Sequence, residues 1–137
     1  MLICTAVSGG NFREYLEEEI GRRGAGRCAL DVQRLRMDFT LPAPTGEGKA
    51  LSAAEFAALS EGKAVFFSPD LCARYFTATR FHEAKNGRAQ SGEAHFILFD
   101  DADTLNQKIR IGEELGLNTA FFQWPEVEDL AGELKLD

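Results

Sequence analysis

The sequence predicts an α/β fold: a partial parallel sheet flanked by helices, carrying an inserted α+β hairpin lobe. Three observations point there. Leu2-Ile3-Cys4-Thr5-Ala6-Val7 is a nearly continuous apolar run, as in a strand buried on both faces. Strand-like and helix-like segments then alternate, which implies parallel strands joined by helical crossovers. Between residues 73 and 99 the alternation stops, and two β-rich segments flank Asn86-Gly87, a strong turn signal. At 137 residues the chain is expected to form one domain. Residues 1–62 and 100–137 make the parallel part, and 63–99 the insertion lobe.

Each element has its own signal. Asn11 with Glu14 three residues on marks a helix start. Phe12, Tyr15, Leu16 and Ile20 follow at helical spacing, and Gly21, Gly24 and Gly26 supply the stop. From Cys28 to Leu41 the pattern has period two, with a change of phase near Gln33-Arg34. That change predicts a bulge or two separate strands. Ser52 and Glu55 form a capping box, with Leu51 and Phe56 as its hydrophobic staple. Val65-Phe66-Phe67 reads as a short strand. A third helix begins near Asp101 and ends at Gly116-Leu117, and Ala120-Phe121-Phe122 is the next strand. Pro125 opens a last helix with Val127, Leu130, Ala131 and Leu134 on one face.

The net charge of −7 argues against nucleic acid as a partner, because phosphate binding needs a basic surface. No run of 18 apolar residues marks a membrane span. Cys4, Cys28 and Cys72 are widely spaced with no Cys-x-x-Cys, so buried thiols are expected rather than a zinc site. The strand-like opening without a leader pattern leads us to expect a cytoplasmic protein. No cofactor and no metal are expected.

Two segments resemble the end of the family 18 glycoside hydrolase barrel, in the branch of spore-cortex and peptidoglycan hydrolases. One is Arg36-Met37-Asp38-Phe39-Thr40-Leu41-Pro42, with Pro44 and Gly46 after it. The other runs from Phe96-Ile97-Leu98-Phe99-Asp100-Asp101 through Lys108 to Glu114-Leu115-Gly116-Leu117. Tyr75-Phe76-Thr77 fits the hairpin of the family's α+β insertion. The resemblance implies a partial TIM-barrel-like sheet covering about the last three barrel strands. The family's acidic motif Asp-x-x-Asp-x-Asp-x-Glu lies outside the matched region. The nearest local string, Asp100, Asp103, Leu105 and Gln107, ends in a glutamine, which cannot act as a general acid. The family's Met-x-Tyr-Asp should fall near Thr5 to Ser8, which holds neither Tyr nor Asp. Tyr-Asp-Trp becomes Met37-Asp38-Phe39. The platform Trp of the last strand should fall at Gln123, with Trp124 adjacent.

The expected function is a non-catalytic binding or interaction module that recognises amino sugars or a protein partner. The alternative is a glycosidase completed by oligomerisation or by another chain. No catalytic residue is assigned. Asp38, at the family position, heads the ligand-contact candidates, with Trp124, Glu126 and Tyr75. Asp100, Asp101 and Asp103 read as a helix cap rather than a cation site. His82 and His95 read as surface cross-strand packing. A homodimer is expected, because a partial barrel leaves strand edges unpaired. Tyr75, Phe76, Phe81 and Phe96 are its expected anchors.

Overall fold

The computed structural model describes residues 1–41, 48–82, 91–130 and 132–134; the side chains of residues 80–82, 91–93 and 124 lie outside that description. In chain order the elements are β1 (Leu2–Cys4), α1 (Phe12–Arg23), β2 (Ala29–Val32), β3 (Arg36–Leu41), β4 (Lys49–Ala50) and α2 (Ala53–Ser60). Then come β5 (Phe66–Ser68), β6 (Ala73–His82), β7 (Ser91–Phe99), α3 (Ala102–Glu114), β8 (Ala120–Phe122) and α4 (Trp124–Val127). The strands form a three-stranded sheet, β1-β2-β8, and a five-stranded sheet, β4-β3-β7-β6-β5. The chain divides into two compact units.

The first unit comprises Met1–Leu35, Phe67–Arg74 and Asp100–Asp137. Its sheet is parallel throughout, with Ile3 beside Leu30 and Leu30 beside Ala120. Ile3, Leu30 and Val32 turn into a core shared with Phe12 and Leu16 of α1 and Leu105 of α3. Helix α1 starts where Asn11 Oδ1 accepts the Glu14 amide at 3.0 Å. In α3 the Asp101 carboxylate accepts the Thr104 amide, and the Thr104 hydroxyl accepts the Asp101 amide. Helix α3 lies close on the sheet at Gly112, where a Cβ would come within 2.8 Å of Leu30 Cδ1. The three strands do not close a barrel; among the described residues β1 and β8 each pair with β2 alone. Met1, Leu2 and Phe121 are exposed there.

A buried ion pair organises this unit. Lys108, fully buried, leaves α3 and places Nζ 2.9 and 3.0 Å from the two carboxylate oxygens of Asp100. It also donates to the Thr5 carbonyl at 3.1 Å and sits 5.4 Å from the Phe12 ring centroid. Asp100 further accepts the Leu35 amide at 2.9 Å and the Thr104 hydroxyl at 2.8 Å. Burial pushes the Asp100 carboxyl above its ordinary range, against the pull of Lys108, the Leu35 amide and Thr104.

The second unit comprises Arg36–Phe66 and Tyr75–Phe99. Strand β3 is antiparallel to β7, with Asp38 opposite Ile97 and Phe39 opposite Phe96. One sheet face packs under α2. There Leu51 and Phe56 meet Phe76, Ile97 and Phe99, and the Phe56 and Phe99 centroids lie 4.7 Å apart. Ser52 and Glu55 form the expected capping box.

Several details differ from the sequence expectation. Arg36–Leu41 is not a parallel barrel strand; it joins the antiparallel sheet, and Ala29–Val32 takes the parallel position. The phase change at Gln33-Arg34 is where the chain leaves one sheet for the other. The unit boundary therefore falls at Leu35 and Arg36, and residues 36–62 sit with the lobe. Phe76, expected as an interface anchor, is fully buried beneath α2. The last helix ends at Val127 and continues as a single 3-10 turn, although Val127, Leu130 and Leu134 are buried as the spacing predicts.

Lys108→Met keeps the volume but leaves the Asp100 carboxylate buried without its cation. We expect a loss of about 3–5 kcal/mol in urea unfolding. Adding Asp100→Asn should recover part of it. Equal midpoints for Lys108→Met and the wild type would show the pair to be energetically idle.

Candidate functional site

Strand alternation sorts the second unit's side chains onto two faces. Asp38 lies on the α2 face. It is 7% exposed, and its Oδ1 is 2.7 Å from Nδ1 of His95, itself 5% exposed. The register explains the contact: His95 stands opposite Thr40, so it reaches Asp38 diagonally across the β3–β7 ladder. The first-ranked ligand candidate is thus a buried carboxylate engaged with a histidine. That partner lies on another strand, so no local motif announces it.

The opposite face carries an aromatic ladder. Phe66 of β5 stacks on Tyr75 of β6 with centroids 5.6 Å apart and planes 28° apart. Tyr75 stacks on Phe96 of β7 at 5.1 Å and 29°. Phe96 meets Phe39 of β3 at 6.4 Å in a tilted arrangement. Four strands thus contribute one ring each. Phe39 is buried at one end, where Gly48 crosses its ring; a Cβ at Gly48 would come within 2.7 Å of Phe39 Cε1. Tyr75 and Phe96 are half-buried, and Phe66 at the other end is 54% exposed. Thr77 follows Tyr75 on the same strand parity and is exposed, so it sets a hydroxyl beside the rings.

The ladder includes one sequence-stated candidate, Tyr75, and three rings that the ligand candidates omitted. Their signal was available in part: Phe39 alternates with Asp38 and Thr40, and Phe96 with His95 and Ile97. The missing information was the strand order.

The remaining candidates belong to the first unit. Glu126 is half-buried, and its Oε2 accepts the Arg34 amide at 3.4 Å. The Arg34 guanidinium donates to the Glu126 carbonyl and to both oxygens of Asp129. Glu126 therefore takes part in holding α4 to the end of β2. Trp124 is the first residue of α4, behind an N-cap at Gln123. Its side chain, with those of His82 and Phe81, lies outside the described residues. Asp101 caps α3 and pairs with Arg74, which also binds Asp103 at 2.8 Å, so two of the three aspartates serve the cap and its ion pairs. Burial pushes the Cys72 thiol up to about 11, so it stays protonated at neutral pH.

A parallel three-stranded sheet with helical crossovers, in a chain that also forms a five-stranded antiparallel sheet, is a partial, barrel-like α/β fold. A solved structure with this fold is ydhD of Bacillus subtilis, a protein assigned as a sporulation-specific glycosylase. The likeness has a TM-score of 0.59 at 17% identity and covers 89% of this chain and 42% of that one. The chain thus spans less than half the length of the structure it resembles. No protein-family model and no curated protein sequence matches the chain. No helix among the described residues is long and apolar enough to cross a membrane.

Asp38→Ala removes a buried hydrogen-bond partner of His95 and should lower stability by about 1–3 kcal/mol. Chemical denaturation of the variant checks this. An unchanged midpoint would mean that the carboxylate is not needed by the sheet and is free to serve a ligand.

Proposed function

We propose that this chain is a non-catalytic carbohydrate-binding module, and that the ladder of Phe66, Tyr75 and Phe96 is its platform for amino sugars. The single observation behind this reading is the stacking of those rings on a partly exposed sheet face. Rings stacked on one another turn their faces toward their neighbours, so the row presents apolar ring edges and the half-exposed Phe66 ring, against which the apolar C–H face of a pyranose can pack. A ladder of adjacent rings suits an oligosaccharide better than a single sugar. The Tyr75 phenol and the Thr77 hydroxyl add hydrogen-bonding groups of the kind that orient a ligand on an apolar surface.

The non-catalytic part of the reading draws on three aspartates near the segments of family resemblance. Asp100 is engaged with Lys108, Asp38 with His95, and Asp101 with the Thr104 amide and Arg74. Position 107 of the nearest acidic string is a glutamine. A general acid must reach the leaving oxygen with a proton to give, and these side chains are committed elsewhere. A second reading, a glycosidase completed by another chain, draws on the single-partner strands β1 and β8 and the 42% span. The family 18 origin belongs to the same proposal, as does cytoplasmic residence.

Titration of 15N-labelled protein with N-acetylglucosamine oligomers tests the platform. We expect saturable shifts centred on Tyr75 and Phe96, their loss in folded Tyr75→Ala, and no release of reducing ends. Binding abolished by Trp124→Ala yet unchanged by Tyr75→Ala would move the site to the first unit. Turnover of the oligomers would refute the non-catalytic assignment.

A further inference from the structure

We propose that two copies of this chain pair antiparallel along β5 about a two-fold axis at Phe66, joining their aromatic ladders into one platform. The proposal rests on reading the ladder as a ligand platform, and it makes that platform incomplete in one copy.

Strand β5 ends the five-stranded sheet; among the described residues it has β6 as its only strand neighbour. Such an edge presents backbone donors and acceptors to any strand that reaches it. Proteins commonly blunt these edges with charge, yet no charged residue lies between Lys63 and Asp70. Val65, Phe66 and Phe67 are instead exposed in succession, at 44%, 54% and 37%.

Symmetry selects the register. A two-fold axis perpendicular to the sheet pairs identical edges antiparallel and keeps corresponding faces on the same side. The axis must pass through a residue that faces its own copy. Placed at Phe66, it sets Phe66 against Phe66, Val65 against Phe67 and Ala64 against Ser68. The ladder Phe39–Phe96–Tyr75–Phe66 then continues into its symmetry mate through direct ring contact. Placed at Phe67, it sets Phe66 against Ser68, and the ladders do not meet. The Phe66 register also lays Lys63 of each copy against Pro69 of the other, beside Asp70. The cationic flank of one strand thus meets the anionic flank of the second. A short strand with few anchors makes a small interface, so the dimer should be weak, with Kd in roughly the micromolar range or above.

Sedimentation equilibrium from ~10 µM to ~1 mM should show a concentration-dependent dimer that Val65→Lys abolishes. A monomer over the whole range would overturn the proposal, as would a dimer unaffected by Val65→Lys. Cross-linking reads the register in a Cys4→Ser background. Phe66→Cys should oxidise to a disulfide dimer, whereas Ala64→Cys, offset from its own mate, should not. The reverse pattern, or no cross-link from Phe66→Cys, would place the contact elsewhere and overturn the register. With N-acetylglucosamine tetramer as probe, monomeric Val65→Lys should bind about tenfold more weakly than the dimer if one oligomer spans both ladders. Equal affinity would overturn the joined platform. Failure of the platform reading is distinct: the wild type would dimerise and cross-link as stated but bind no tetramer.

Discussion

The contact between Lys108 and Asp100 is the interaction on which the parallel unit depends. An uncompensated charge at full burial is too costly to persist, so the lysine and carboxylate must stay together. Their hydrogen bonds reach the Thr5 carbonyl beyond β1, the Leu35 amide beyond β2, and Thr104 in the first turn of α3. One pair therefore sets where two strands end relative to a helix. The Leu35 amide it fixes is the last residue before the chain enters the antiparallel sheet.

The antiparallel unit solves a different problem. Its sheet has one face under α2 and one face with partly exposed rings. The buried Asp38–His95 pair lies on the covered side, and the aromatic ladder on the other. The alternation of a strand makes this separation simple, because neighbouring residues such as Asp38 and Phe39 face opposite ways. A carboxylate favoured as a ligand contact is thereby withdrawn, while the residue beside it anchors the ladder.

Local signals in the sequence were legible. The Asn11 cap, the Ser52–Glu55 box and the start of α3 at Asp101 all follow from side chains bonding to amides within one turn. The α/β class was legible too, from the alternation of patterns. Pairing was not. The phase change at Gln33-Arg34 signals a break, but whether Arg36–Leu41 joins the parallel or the antiparallel sheet depends on β7, more than fifty residues later. The same holds for the site. Period two shows that Phe39 and Phe96 each point away from their neighbours, yet only the strand order brings them together with Tyr75 and Phe66. Asp38 stands out only through the resemblance of its segment to a family pattern, and its engagement with His95 is a long-range contact invisible to any window.

The threading of the chain between its two units bears on how the protein forms as it is synthesised. The segments of the antiparallel unit are all present once Phe99 has been made, whereas the parallel unit still lacks α3 and β8. Strand β2 waits for Ala120–Phe122, and Thr5 waits for Lys108, across most of the polypeptide. A nascent chain emerging from the ribosome can therefore settle the lobe first, while Leu2–Cys4 and Ala29–Val32 remain an unfinished apolar pair. During that interval β1 and β2 are the part most in need of shielding by a chaperone, and the arrival of α3 and β8 completes the core around Ile3, Leu30 and Val32.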